Sequence, residues 1–325
     1  MSTNSVFRRD VLTIDCEAEA ERLCYFIRQQ TAKTKRDGAV IGISGGVDSA
    51  LCAALCVRAL GKEKVIGLVL PEKESSPLSA EYALKQARSI GIEAETIDMT
   101  PVIEAFGAYD KRDEAVRSVF PDYDSRWKSK IVLPADLLTK DALNFFTLKV
   151  EDGDGNIRSA RLNNRIMRRI VSATDVKQRT RMMHLYYHAE RNNYLVCGTT
   201  NRTELVQGFF VKHGDGGVDI EPISLLYKTQ VYQLAEHLGV IEEIMERAPS
   251  PDTFNFTVTD EEFYFRIPFQ RLDLLLYAWE NGIAVEQVCE VMGLEEEQVK
   301  RAFRDFNSKY RATEHLRMLP PSPAQ

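Results

Sequence analysis

The string Ser44-Gly45-Gly46-Val47-Asp48-Ser49 brings together groups that act on phosphate. Two adjacent glycines let the backbone turn tightly and come close to a ligand. Loop N–H groups followed by a helix N-terminus cradle an anion. Ser44 and Ser49 add hydroxyl donors. Asp48 is out of place beside a polyanion unless a cation lies between them, so Mg2+ is implied. The plainer reading is a βα turn in which Asp or Ser caps the helix. The complete string, in its context, outweighs that reading. The kinase and GTPase loop GxxxxGK[ST] does not occur.

That context is a strand before the loop and a helix after it. Residues Ala39 to Ile43 form a small apolar run suited to a buried parallel strand. The pattern predicts helix from Ala50 to Leu60, strand from Val65 to Leu70, helix from Leu78 to Ile90 and strand from Glu95 to Met99. Gly61 and Gly91 close the two helices. Such a β-α-β-α-β series implies an α/β protein, a doubly wound, largely parallel sheet flanked by helices. The loop then sits at the carboxyl end of a strand, where such sheets bind ligands. An amphipathic helix is expected around Leu23, Phe26 and Ile27, and a fourth buried strand from Tyr194 to Gly198. Helices are expected near Lys228–Leu238, Glu286–Met292 and Glu295–Tyr310.

The whole of 1–325 reads as a single domain, with residues 107–170 as an insertion or small subdomain. Its centre, Asp152-Gly153-Asp154-Gly155-Asn156, is a hairpin turn signal between strand-like flanks. Between Arg158 and Arg181 eight basic residues face one acid, Asp175. This is either a solvated helix face or a basic wall for phosphates.

Composition removes several classes. Hydrophobic residues at 44% and charged residues at 28% describe an ordinary globular chain. No apolar run approaches the roughly 18 residues of a membrane span, and no secretory leader is legible, so a cytoplasmic location is expected. A net charge of −6 argues against general nucleic-acid binding. The six cysteines show no CxxC pair, and Cys52 and Cys56 read as core residues on one helix face.

The glycine loop resembles the pyrophosphate loop of the N-type ATP pyrophosphatases, an adenine nucleotide alpha hydrolase-like fold. These cleave ATP between the α and β phosphates and transfer AMP to a substrate. The loop alone is compatible with several members. Further strings narrow it: Val176–Met182 (VKQRTRM), Gly198–Leu205 (GTTNRTEL), Gly208–Asp219 (GFFVKHGDGGVD), Tyr227–Val231 (YKTQV), Ala248–Asp252 (APSPD) and Glu314–Arg317 (EHLR). In this order they are similar to the motifs of ammonia-dependent NAD synthetase.

The resemblance implies an ATP- and Mg2+-dependent ligase that amidates deamido-NAD with ammonia. It implies that Asp48 and Glu204 hold the metal, and that Ser44–Ser49, Thr199, Lys228 and Ser250 contact ATP. Arg179, Lys212, Asp219 and His315 would hold deamido-NAD, and Asp215 would steer or deprotonate ammonia. It also implies a homodimer. With 38 residues before the first strand, no glutaminase domain is expected there, so nitrogen arrives as free ammonia or from a separate subunit. Three places depart from the family pattern: Asp175 stands where it has asparagine, Pro251-Asp252-Thr253 where it has Ala-Asp-Leu, and Leu316 where it has lysine. The same chemistry on another carboxylate, and a non-catalytic nucleotide sensor, are the alternatives.

Overall fold

Alternate residues of the central strands enter two different cores. Ala39, Ile41 and Ile43 pack on one face of the sheet, while Val40 packs on the other with Leu68 and Val196. That pattern belongs to a parallel sheet covered on both sides. The computed structural model describes residues 7–124, 126–134, 136–139 and 145–323.

The chain opens with α1 (Cys16–Lys33), capped by the Asp15 carboxylate, which accepts from Ala18 N–H. Then follow β1 (Ala39–Gly42), α2 (Val47–Leu60), β2 (Val65–Val69), α3 (Pro77–Ser89) and β3 (Ala94–Thr96). Next come α4 (Thr100–Phe106) and α5 (Ala108–Arg117). Strands β4 (Lys128–Val132), β5 (Thr147–Glu151) and β6 (Ile157–Arg161) lead into α6 (Asn164–Asn192) and β7 (Leu195–Cys197). The remainder is helical: α7 (Arg202–Gln207), α8 (Lys228–His237), α9 (Glu242–Met245), α10 (Phe269–Glu280), α11 (Val285–Met292), α12 (Glu296–Ala312) and α13 (Glu314–Arg317).

The main sheet is fully parallel, with strand order β3-β2-β1-β7. The chain steps outward from β1 through β2 to β3, then returns to the other side of β1. That reversal creates the crevice in which open α/β sheets bind ligands. Helices α1, α2 and α8 cover one face, and α4, α5 and α6 the other.

The expected hairpin is present as β5 and β6, with Thr147 paired to Arg161 and Glu151 to Ile157. Strand β4 joins them in a separate antiparallel sheet with its own apolar core. Between residues 107 and 170, residues 125, 135 and 140–144 lie outside those described. Helix α5 buries Tyr109, Arg112 and Asp113.

One sequence expectation needs correction. The third strand is Ala94–Thr96 rather than Glu95–Met99, because Thr100 and Pro101 already open α4. The apolar stretch Phe263–Trp279, which the sequence leaves equally open to core packing or to a supporting dimer surface, is mostly core: Phe265, Leu272, Leu275 and Leu276 are wholly buried against α11 and α12.

Candidate active site

The loop after β1 closes on itself through its hydroxyls. Ser49 Oγ donates to Gly46 O at 2.9 Å and accepts from Ser44 N at 3.1 Å, and the two serine hydroxyls lie 3.1 Å apart. Gly45 holds φ +78°, and a Cβ there would stand 2.4 Å from Ser79 O. Only glycine lets β1 turn under α3 at this point. The first N–H groups of α2 are left without helical acceptors at the loop's mouth.

Asp48 follows on the first turn of α2 and meets residues delivered by β7. Asn201 caps α7 in a reciprocal box: its Oδ1 accepts from Glu204 N at 3.0 Å, and Glu204 Oε2 accepts from Asn201 N at 3.2 Å. The Asn201 amide also donates to Asp48 Oδ1 at 2.9 Å. Lys228, the first residue of α8, is 2% exposed and places Nζ 2.5 Å from Asp48 Oδ2 and 3.7 Å from Glu204 Oε1. An ammonium thus lies between the two carboxylates where a cation would sit. Burial acts against that charge, but Asp48, Glu204 and Asp260 together raise the lysine's hold on its proton. Burial and then Asp48 push the Glu204 carboxyl well up.

Lys228 is steadied from beneath. Its N–H donates to Thr203 Oγ1 at 3.1 Å; Thr203 donates to Asp273 Oδ1 at 2.7 Å, and Thr229 N–H donates to Asp273 Oδ2 at 2.7 Å. Asp273 comes from α10 and is wholly buried, which lifts its carboxyl to about 6. The sequence reading missed it, although an acid inside Leu272–Leu276 was a visible irregularity.

One cavity of about 580 Å³ joins these groups to the rest. Its wall includes Ser44, Gly46, Val47, Asp48, Ser49, Thr199, Glu204, Lys228 and Ser250, and also Arg179, Lys212, Asp215, His315 and Leu316. The volume suits a ligand of nucleotide size. Asp215 accepts from Val211 N–H at 2.8 Å, and burial raises its carboxyl to about 6. Asp175 also lines the cavity, with burial raising it to about 6 against the Arg179 guanidinium at 4.0 Å.

Three residues are placed otherwise than the sequence reading implied. Asp219 is exposed and does not line the cavity; its carboxylate accepts from Val196 N–H at 2.7 Å and from the Tyr186 hydroxyl at 3.1 Å. Lys212 donates to His315 O at 2.8 Å and Met318 O at 3.0 Å, so it anchors the C-terminal segment. Lys177 is no part of a basic wall. It is buried, with Glu72 at 2.8 Å, Glu74 at 2.7 Å and Thr253 O at 2.8 Å. Arg112 adds a contact to Glu74 at 2.5 Å, and Tyr109 donates to Glu72 at 2.6 Å. Within the Arg-rich segment, Arg179 and Arg181 line the cavity. Arg158 pairs with Asp122, and Arg169 with Glu114.

A glycine loop and a lysine–carboxylate cluster, facing each other across the switch point of a parallel sheet, define a nucleotide-binding α/β enzyme. The NAD synthase family model matches residues 19–132 and 136–320. An NH(3)-dependent NAD(+) synthetase of Mesorhizobium japonicum is 46% identical over 311 residues, covering 95% of this chain and 97% of its own. One from Thermotoga neapolitana is 37% identical over 292 residues, covering 90% and 93%. Among solved structures, the NH3-dependent NAD synthetase of Campylobacter jejuni in complex with the nitrate ion superposes with TM-score 0.62 at 22% identity, covering 96% of this chain and all of that one. The NMN synthetase of Francisella tularensis superposes with TM-score 0.66 at 24% identity, covering 95% and 99%. At these identities the two structures speak for the fold. The chain belongs to the NAD synthase family, whose members named here are ligases.

Proposed function

We infer that the chain catalyses the ATP-dependent amidation of deamido-NAD by ammonia, giving NAD, AMP and pyrophosphate. Family membership along nearly the whole chain supports the reaction, and the relatives that match it carry that name. The observation that carries the site is the Lys228 ammonium held between Asp48 and Glu204 beside the glycine loop. It marks the space between the two carboxylates as one that takes a cation, so this pair fits Mg2+. When bound there, Mg2+ neutralises polyphosphate charge and orients the leaving pyrophosphate.

The rest of the work falls to the chain's own residues. N–H groups and hydroxyls of Ser44–Ser49 hold the departing phosphates, and Thr199 and Ser250 hold the nucleotide. Lys228 offsets charge growing on the α-phosphate as the nicotinate carboxylate attacks it. Ammonia then attacks the acyl carbon, AMP leaves, and Asp215 takes the surplus proton. Arg179 and His315 hold the acid substrate, Arg179 by bidentate contact with its diphosphate. Lys212 contributes by fixing the segment that carries His315 and Leu316. Catalysis of this kind is mainly positioning and charge stabilisation.

We read residues 1–325 as one synthetase domain with 107–170 inserted, working in the cytoplasm as a homodimer. Exposed Asp219 lies next to Tyr186 on α6, whose Met183 and Tyr187 expose 52% and 60% of their surface. A second copy covering this face would bring Asp219 to a shared dinucleotide. Sedimentation should show a dimer at micromolar concentration, and a strict monomer would remove the shared-site reading. No helix among the described residues is long and apolar enough to cross a membrane.

The deciding assay supplies ATP, Mg2+, ammonia and deamido-NAD and follows NAD, AMP and pyrophosphate. Equimolar formation of the three is expected. Pyrophosphate release only with another acid would move the chemistry to that acid. Nucleotide binding without turnover on any acid would leave a sensor.

A further inference from the structure

Asp260 stands at the same cavity wall and has no assigned task. It is 5% exposed, and its Oδ1 has no hydrogen-bond partner. A buried carboxylate oxygen without a donor costs free energy unless it gains a partner in another state. Its backbone N–H donates to Pro249 O at 2.9 Å, which ties it to the loop bearing Ser250. Its charge acts on Lys228, on Glu204 and, in return, feels Asp48.

The Lys228 ammonium and a divalent cation cannot share the gap between Asp48 and Glu204. A cation ligated by both carboxylates would take the place of the Lys228 Nζ, 2.5 Å from Asp48 and 3.7 Å from Glu204, and would repel that ammonium at contact distance. Entry of the metal therefore expels the ammonium from Asp48, and a buried ammonium needs another acceptor. We propose that Asp260 is that acceptor: a positioning residue that receives Lys228 when a divalent cation takes Asp48 and Glu204, and holds the lysine inside the cavity, turned toward the incoming phosphates. The proposal rests on the reading of Asp48 and Glu204 as the cation site. It makes Lys228 a group with two seats. The Asp48 seat neutralises the empty site, and the Asp260 seat frees the carboxylates without releasing the lysine to solvent.

The test is a double-mutant cycle read by Mn2+ binding, followed by electron paramagnetic resonance of the free ion without nucleotide. The proteins are wild type, Asp260→Asn, Lys228→Met and the double variant, with Asp48→Asn as control. Asp260→Asn is expected to weaken Mn2+ binding by about ten-fold, because the displaced ammonium loses a charged acceptor. Lys228→Met is expected to bind Mn2+ at least as tightly as wild type, and adding Asp260→Asn to it should change nothing. Equal weakening by Asp260→Asn with and without Lys228 would make Asp260 a metal ligand or a structural residue and overturn the proposal. So would unchanged Mn2+ affinity in Asp260→Asn. Absence of Mn2+ binding in wild type, or undiminished binding in Asp48→Asn, would overturn the cation site itself and the proposal with it. Circular dichroism melts establish that each variant folds, and Asp260→Ser takes the place of Asp260→Asn in the cycle should the latter unfold.

Discussion

At the scale of single residues, the sharpest expectations concern the carboxylates around Lys228. Asp48→Asn and Glu204→Gln each remove one charge from a pair that brackets a cation. Each should lower turnover by about a hundred-fold or more, the loss seen when one preorganised electrostatic contact is removed. The Mg2+ concentration needed for half-maximal rate should rise, with the fold retained. Steady-state kinetics across a Mg2+ series checks this, and a near-normal rate in either variant would exclude that carboxylate. Leu316 tests the other end of the cavity, which it lines beside His315. Leu316→Lys adds a cation facing an anionic dinucleotide. An exposed contact of this kind is worth about 0.2–1 kcal/mol. The apparent affinity for deamido-NAD should therefore tighten by several-fold at most, with ATP affinity unchanged. Weaker deamido-NAD binding in that variant would indicate a smaller or more apolar acid.

At the scale of elements, the buried charges beneath the cavity hold three pieces of chain together. Lys177 on α6 reaches Glu72 and Glu74 after β2, and it also reaches the carbonyl of Thr253 in the loop that follows Ser250. Arg112 on α5 completes the set through Glu74 and Asp113. Lys177→Met leaves those carboxylates short of a cation in a dry site. Breaking one side of a buried ionic cluster costs about 3–5 kcal/mol. A large drop in melting temperature is expected, together with a raised KM for ATP, because the Ser250 loop loses its tether. Thermal melts and kinetics with ATP as the varied substrate measure both, and an unchanged KM would show that the loop is held by other contacts. The Arg-rich stretch illustrates why an element decides what a run of charge means. One helix of 29 residues turns its basic side chains in several directions, to the cavity, to buried acids and to solvent.

At the scale of the whole molecule, several buried carboxyls make stability depend on pH. Burial raises Glu221 to about 8, and Asp215 and Asp273 to about 6. Each is a raised acid: the folded chain keeps a proton that the unfolded chain has released once pH exceeds the ordinary carboxyl value. Stability then declines as pH rises and levels off above the folded value. Between about pH 6 and pH 8, Asp215 and Asp273 have largely finished their contribution, while Glu221 is still contributing. The ligand-free protein should melt lower at the upper end of that window. Glu221→Gln should flatten the decline, since the amide oxygen can still accept from Thr200 N–H and carries no charge. Differential scanning calorimetry across that range checks it, and an equally steep decline in the variant would assign the effect to other groups.

The sequence by itself determined the parallel sheet, the place of the glycine loop at a strand's end, the hairpin and the family. These follow from local signals: continuous apolar strand runs, glycines that only certain turns need, and strings that keep their order along the chain. Asp48, Glu204 and Lys228 were legible for the same reason. Only the tertiary structure decided that Lys228 occupies the gap between the two acids, that Asp260 and Asp273 surround it, that Lys177 is spent on buried glutamates, and that Asp219 turns away from the cavity. Each of those facts depends on side chains far apart in sequence meeting in a dry interior. Pairing across such distances is set by how elements pack, and no local pattern in the chain encodes it.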